Sequence, residues 1–127
     1  MGYIVSKNGI STNQDKIQVV LQLPRPTNAK EVQGFMGHCG YYRRFIFRFA
    51  NIVRPLYALI VAFEWTQECD ESFQKLKDAL TNAPILRAPD WNVIFHVHVD
   101  ASKFAIGCIL AQPGENKMDF PVSYASR

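Results

Sequence analysis

Apolar positions recur along this chain with two different periods, and the change between them falls near Trp91. Before it the spacing is helical. Ile17, Val20 and Leu21 share one face of a segment from Asp15 to Leu23, and Pro24-Arg25-Pro26 closes it. Val32, Phe35, Met36 and Cys39 fall at i, i+3, i+4 and i+7, the apolar stripe of a helix expected to run to about Tyr42. Its continuation toward Phe49 is expected to be kinked or broken. Asn28 with Glu31 three residues later is a capping-box-like start for it, with Thr27 as a rival cap. Arg54-Pro55 predicts another break, with Pro55 in the first turn of a helix reaching about Leu59. Cys69, Phe73, Leu76 and Leu80 mark a further amphipathic helix, N-capped by Thr66 and ending near Thr81.

After Trp91 the period is two. Phe95, Val97 and Val99 alternate with His96, His98 and Asp100, which predicts a half-buried strand. Ala105–Gln112 reads as a second strand, Pro113-Gly114 as the start of a turn, and Phe120–Ser126 as a third strand. Short connections imply an antiparallel meander. At the other end of the chain, Tyr3, Ile4 and Val5 are β-prone and Asn8-Gly9 is a turn signal, so a short hairpin is expected there. The fold class is α+β: a small helical bundle followed by an antiparallel three-strand meander.

Composition narrows the classes. At 127 residues, with 48% apolar and 20% charged residues, the chain has the length and make-up of one globular domain or two very small ones. Cys39, Cys69 and Cys108 form no C-x-x-C pair, which supports neither a zinc site nor a disulfide framework. A reducing, intracellular compartment, cytoplasmic or nuclear, is expected. No apolar run approaches the ~18 residues of a membrane-spanning helix, and no membrane partner is expected. The polar stretch after Met1-Gly-Tyr-Ile-Val5 argues against a signal peptide.

The positive charge is local. Tyr41 to Arg54 holds four arginines and no acid, whereas the whole chain, with 14 basic and 11 acidic residues, is only +3. Here Tyr41, Tyr42, Arg43, Arg44, Phe45, Phe47, Arg48 and Phe49 interleave cations with rings. Two readings are open. The arginine stems cover apolar core while their heads stay wet, or the guanidinium forks hold phosphate oxygens. If the helix continues, Arg44 and Arg48 share a face one turn apart, with Arg43 about 100° round from Arg44 and Tyr41 on the adjoining face. Upstream, Gly34, Gly37 and Gly40 recur every three residues at about 0.8–1 kcal/mol each against Ala. Close approach of another backbone is the expected compensation.

Gly34–Phe49, followed by Arg54-Pro-Leu-Tyr57, resembles the thumb of reverse transcriptases from gypsy-type long-terminal-repeat retrotransposons. Gly2–Ile10 is similar to the end of the polymerase palm in that family. Phe63–Cys69 and Phe95–Ser102 resemble the start of its RNase H-like domain. The resemblance implies three segments: residues 1–14 as the end of the palm with its primer-guiding hairpin, 15–63 as a thumb-like helical segment, and 64–127 as the first part of a truncated RNase H-like domain. It implies a fragment of a retrotransposon polyprotein whose parent is an RNA-directed DNA polymerase with ribonuclease H activity, using Mg2+. The expected partners are a primer–template duplex or RNA–DNA hybrid and the remainder of the polyprotein. Tyr41, Arg43, Arg44 and Arg48 are the expected nucleic-acid contacts. Between Tyr57 and Trp65 the chain lacks charged residues that the family carries, so a shortened joint or an altered helix register is expected. The alternative of another class is a non-enzymatic helical module for protein contact.

By the same resemblance, Asp100 is the first metal-binding acid of an RNase H-like site. Such a site clamps a phosphodiester with two cations and needs several carboxylates. The chain presents one, so it is expected to be catalytically silent alone and to bind no metal of its own. His96, His98 and Asp100 share one strand face, but alternate Cα atoms are roughly 6.6 Å apart and point in parallel. Convergence on one ion is therefore disfavoured, and a solvated or helix-covered polar face is expected.

Overall fold

The computed structural model describes residues 3–127, residue 116 by its backbone alone. The first two positions of the expected 1–14 segment lie outside the described residues. Strands β1 (Tyr3–Ser6) and β2 (Gly9–Thr12) form a hairpin, followed by helices α1 (Gln14–Leu21), α2 (Ala29–Tyr41), α3 (Phe49–Val61) and α4 (Gln67–Thr81). Strands β3 (His96–Ala101), β4 (Ile106–Pro113) and β5 (Asp119–Ser126) then make an antiparallel sheet in sequence order. The expected α+β architecture is present.

The helix starts follow from local chemistry. The side chains of Asn13, Asn28 and Thr66 accept hydrogen bonds from the backbone N–H groups of Asp15, Glu31 and Cys69. The Glu31 carboxylate reaches back to the N–H of Thr27 at 2.9 Å, one residue before the cap, and also accepts from its hydroxyl. Thr27 is therefore Glu31's partner and Asn28 is the cap. Every position of the α2 stripe is buried, and with Ile17, Val20, Phe45, Val53, Leu56, Leu59, Leu76, Leu80 and Leu86 it belongs to one continuous core. Lys77 ties α4 to the end of α1, its ammonium donating to the carbonyls of Leu21 and Leu23 at 2.9 and 2.8 Å.

Several expectations are corrected. Pro55 lies inside α3 and does not begin a helix. Its missing N–H costs about 3 kcal/mol in a helix interior. Burial of Phe49 and Val53 before it and of Leu56 and Leu59 after it holds the helix across the gap. The joint that follows is short, Ala62 being extended and Trp65 lying edge-on to Phe73 at 5.8 Å. The glycines of α2 meet no close backbone: a methyl added at Gly34, Gly37 or Gly40 would find no atom of the described residues within 4 Å. Their face is open.

Gly9 is the glycine that does require its conformation. Its φ is +131°, and an added Cβ would lie 2.3 Å from the Leu86 carbonyl oxygen. That closeness lets Ile10 exchange two backbone hydrogen bonds with Leu86, at 2.6 and 2.8 Å. The hairpin is thereby pinned to the segment that leaves α4.

In β3 the covered side is the reverse of the apolar side. Val97 and Val99 are 61% and 67% exposed, whereas on the other face His96 and Asp100 are half-buried, Asp100 against Arg48, and His98 is exposed. Helix α4 packs on α3 and α1, and the sheet leans instead on α3 and on the 3₁₀ turn Arg43–Phe45.

Candidate nucleic-acid interface

Helix α2 ends at Tyr41, and the basic segment after it is a 3₁₀ turn followed by a bend. Arg44 and Arg48 do not share a helical face. Arg48 stands outside α3 as its N-cap, in the left-handed region at φ 59°, ψ 36°. A non-glycine residue held there costs on the order of 1–2 kcal/mol. Contacts with three residues of the sheet hold the segment in this shape.

Those contacts fall on one cross-strand row. Asp100 of β3 is opposite Gly107 of β4, which is opposite Ser126 of β5. Arg48 forms an ion pair with Asp100. Its stem lies over Gly107, where an added Cβ would come to 3.4 Å from the Arg48 Cγ. The hydroxyl of Ser126 accepts from the N–H of Ala50 at 2.9 Å, so β5 caps a helix that has no side-chain cap of its own. The carbonyl of Ser126 accepts from Arg43 Nη2 at 2.8 Å. Beside this row, Ser102 donates to the Asn51 side chain at 3.3 Å, and the Arg54 guanidinium sits 3.8 Å from the Phe104 ring centre. The start of α3 is seated on the sheet by side chains from both.

The arginines therefore divide. Arg43 and Arg48 face the sheet and lie near the Phe49 and Phe47 rings, at 5.2 and 5.4 Å. For these two, the covering role is part of what they do. Phe45 and Phe49 are core, whereas Phe47 is exposed and packs on Tyr124 at 5.9 Å. Arg44 lies on the other side, near the tyrosines, and its Nε is buried without a hydrogen-bond partner among the described residues. Tyr41 is exposed and stacks on Tyr3 at 5.0 Å, while the Tyr3 hydroxyl donates to the Tyr41 carbonyl at 2.5 Å. Burial and the neighbouring Tyr41 push the Tyr3 hydroxyl's pKa up, against the opposing charge of Arg44. The cluster of Tyr3, Tyr41 and Arg44 lies at the end of the open glycine face.

The histidines find a partner that spacing did not show. His96 Nδ1 and His98 Nε2 both lie against Asp119 Oδ2, at 2.9 and 2.8 Å. Hydrogen bonds from His98 and His96 hold the Asp119 carboxyl below its ordinary range. Asp100, on the same strand, turns to Arg48 instead. Among the described residues no three His, Cys, Asp or Glu side chains are grouped so as to hold a metal. Asp100 is a single carboxylate already facing a guanidinium, so these residues do not fit a two-metal site. Ser126, Gly107 and Asp119 went unread in the sequence because each acts through a residue far from it along the chain.

Residues 65–127 match the family of the RNase H-like domain found in reverse transcriptase. Over 130 residues the chain is 39% identical to the retrovirus-related Pol polyprotein from transposon 412 of Drosophila melanogaster, covering all of this chain and 10% of that protein. It is 33% identical over 129 residues to the transposon Tf2-3 polyprotein of Schizosaccharomyces pombe, again covering 10% of the relative. The chain thus spans about a tenth of the length of these curated relatives. The foamy viral protease-reverse transcriptase in complex with dsDNA superposes on the whole chain with a TM-score of 0.83 at 25% identity, over 27% of that protein. The same enzyme in complex with RNA/DNA hybrid shares the fold, with a TM-score of 0.83 at 24% identity.

Proposed function

We propose that this chain, whose residues 65–127 match the RNase H-like domain found in reverse transcriptase and which aligns along its whole length with retrotransposon Pol polyproteins, joins a thumb to an RNase H-like domain and holds duplex nucleic acid by its backbone. The segments are residues 1–14 as the palm end, 15–63 as the thumb and 64–127 as the RNase H-like part. The longer protein carries RNA-directed DNA polymerase and ribonuclease H activity with Mg2+, on primer–template and RNA–DNA hybrid. A module for protein contact alone is not favoured. The three free cysteines support an intracellular compartment, cytoplasmic or nuclear, and burial pushes the Cys39 thiol up to about 12, away from reactivity.

The observation that carries the reading is the open face of Gly34, Gly37 and Gly40, running to the exposed Tyr41 and the half-buried Arg44. A smooth helix surface admits a bulky duplex closely, and a guanidinium at its end supplies a phosphate contact. Such contacts carry no sequence preference. Binding of an RNA–DNA hybrid, titrated at several salt concentrations, tests this. Arg44→Ala is expected to lower the slope of log affinity against log salt by about 0.9, one phosphate's share on a duplex. Equal slopes for wild type and Arg44→Ala end the reading.

A further inference from the structure

We infer that Tyr3 is a positioning residue: from the first strand of the hairpin it immobilises the exposed Tyr41 ring before a duplex arrives at the end of the glycine face. The inference rests on the reading above for the duplex, whereas the holding itself is a matter of contacts within the chain. Helix α2 ends at Tyr41, whose carbonyl is one of the C-terminal carbonyls that find no partner inside a helix. The Tyr3 hydroxyl donates to it at 2.5 Å. The Tyr3 ring stacks on the Tyr41 ring, with centroids 5.0 Å apart and planes 21° from parallel. One residue thus holds both the backbone and the side chain of Tyr41.

Tyr3 is itself supported from the core side. Tyr42 lies edge-on to it at 6.1 Å and Phe45 is tilted against it at 5.4 Å, and both of these residues are buried. Strand β1 pairs with β2 along its whole length, and β2 is fixed through Ile10 to Leu86. The brace is therefore tied to the segment leaving α4 as well as to the helix it supports. Tyr41 is 44% exposed all the same. An exposed side chain ordinarily loses rotamer freedom when a ligand covers it, which lowers affinity by roughly two- to five-fold for a side chain with few torsions. At Tyr41 the ring is already ordered in the free protein. A neutral ring displaces no counterion from the duplex, so its share of the affinity does not vary with salt.

Two measurements on the full chain test this. The first needs no nucleic acid: the three-bond Hα–Hβ couplings of Tyr41 report its χ1. Wild type is expected to show a single rotamer and Tyr3→Leu averaged values. Tyr3→Phe, which keeps the ring, should stay close to wild type. Averaged couplings in wild type, or unchanged ones in Tyr3→Leu, overturn the inference. In the second, an RNA–DNA hybrid is titrated against wild type, Tyr3→Leu, Tyr41→Ala and the double variant at several salt concentrations. Tyr3→Leu is expected to weaken binding about two- to five-fold with an unchanged salt slope. In the Tyr41→Ala background it should weaken binding no further. A purely structural role for Tyr3 would give the same loss in both backgrounds, and that result overturns the inference. Tyr3→Met takes the place of Tyr3→Leu if the leucine variant does not fold. If wild type binds and Tyr3→Leu binds equally well, the duplex reading stands and the positioning role alone is lost. If wild type does not bind the hybrid, the duplex reading fails and the positioning role fails with it.

Discussion

Leu76 and Val99 are both apolar residues at positions their local periodicity marks for burial, yet Leu76 is fully enclosed and Val99 keeps 67% of its surface in water. The contrast extends to their regions. From Ile17 to Leu86 the helical half builds one core from seventeen buried apolar residues. In the sheet the fully buried apolar residues are Ala111 and Val122, while Val97, Val99 and Ile106 lie open. The helical half carries its own stability by burial. The sheet depends on its ladders and on the row that seats α3, and it leaves unpaired strand edges beside an uncovered apolar face.

The largest effect that sharpens this contrast is cavity formation. Leu76→Ala is expected to cost about 2–5 kcal/mol, whereas Val99→Ala should stay within about 0.5 kcal/mol of wild type. Urea unfolding of both variants measures it, and equal losses would mean that the sheet face is covered in solution. Next comes the seam between the halves. Ser126→Ala removes the α3 cap and is expected to cost about 1 kcal/mol, with faster hydrogen exchange at the Ala50 amide. An unchanged Ala50 rate would show that water serves equally well. Hydrogen exchange across the whole chain should then protect α2 more than β3, and the reverse order would break the comparison.

The smallest expected effect disappears in acid. His98 and His96 depress the folded-state pKa of Asp119, so its contribution is fully present above the ordinary value near 3.8 and is lost as pH falls through the lower, folded value. Asp119→Asn is therefore expected to lower stability slightly at pH 5 and to converge with wild type at the acid end. The variant's loss growing as pH falls would contradict that sign.

What could be read in the sequence was whatever neighbours along the chain decide. The caps at Asn28 and Thr66 act within three residues, and the α2 stripe needs only helical geometry, so both were legible. Alternation in Phe95–Asp100 showed two faces but not which one a partner would cover, because the covering turn lies some fifty residues away. Pro55 read as a helix start because local propensity knows nothing of Leu56 and Leu59 packing beyond it. Arg48 looked like a helical residue, since a left-handed cap carries no side-chain signature other than glycine. Of the candidate site, residue identities were visible. Their pairing with Asp100, Ser126 and the tyrosines was not, because it is set by strand register.

The two hydrogen bonds between Ile10 and Leu86 bear on the order in which the molecule assembles. They join the first strands to a segment that follows the last helix, so closing them early would hold most of the helical half in one large loop at an entropic penalty. Packing of α3 on α4 needs no such closure and is expected to lead. The hairpin then acts as a late clasp on a bundle already formed. Strain introduced by Gly9→Ala, whose methyl would press on the Leu86 carbonyl, should accelerate unfolding and leave the folding rate nearly unchanged, as interactions absent from the transition state do. Stopped-flow chevrons of the two proteins would show that as a shift in the unfolding arm alone.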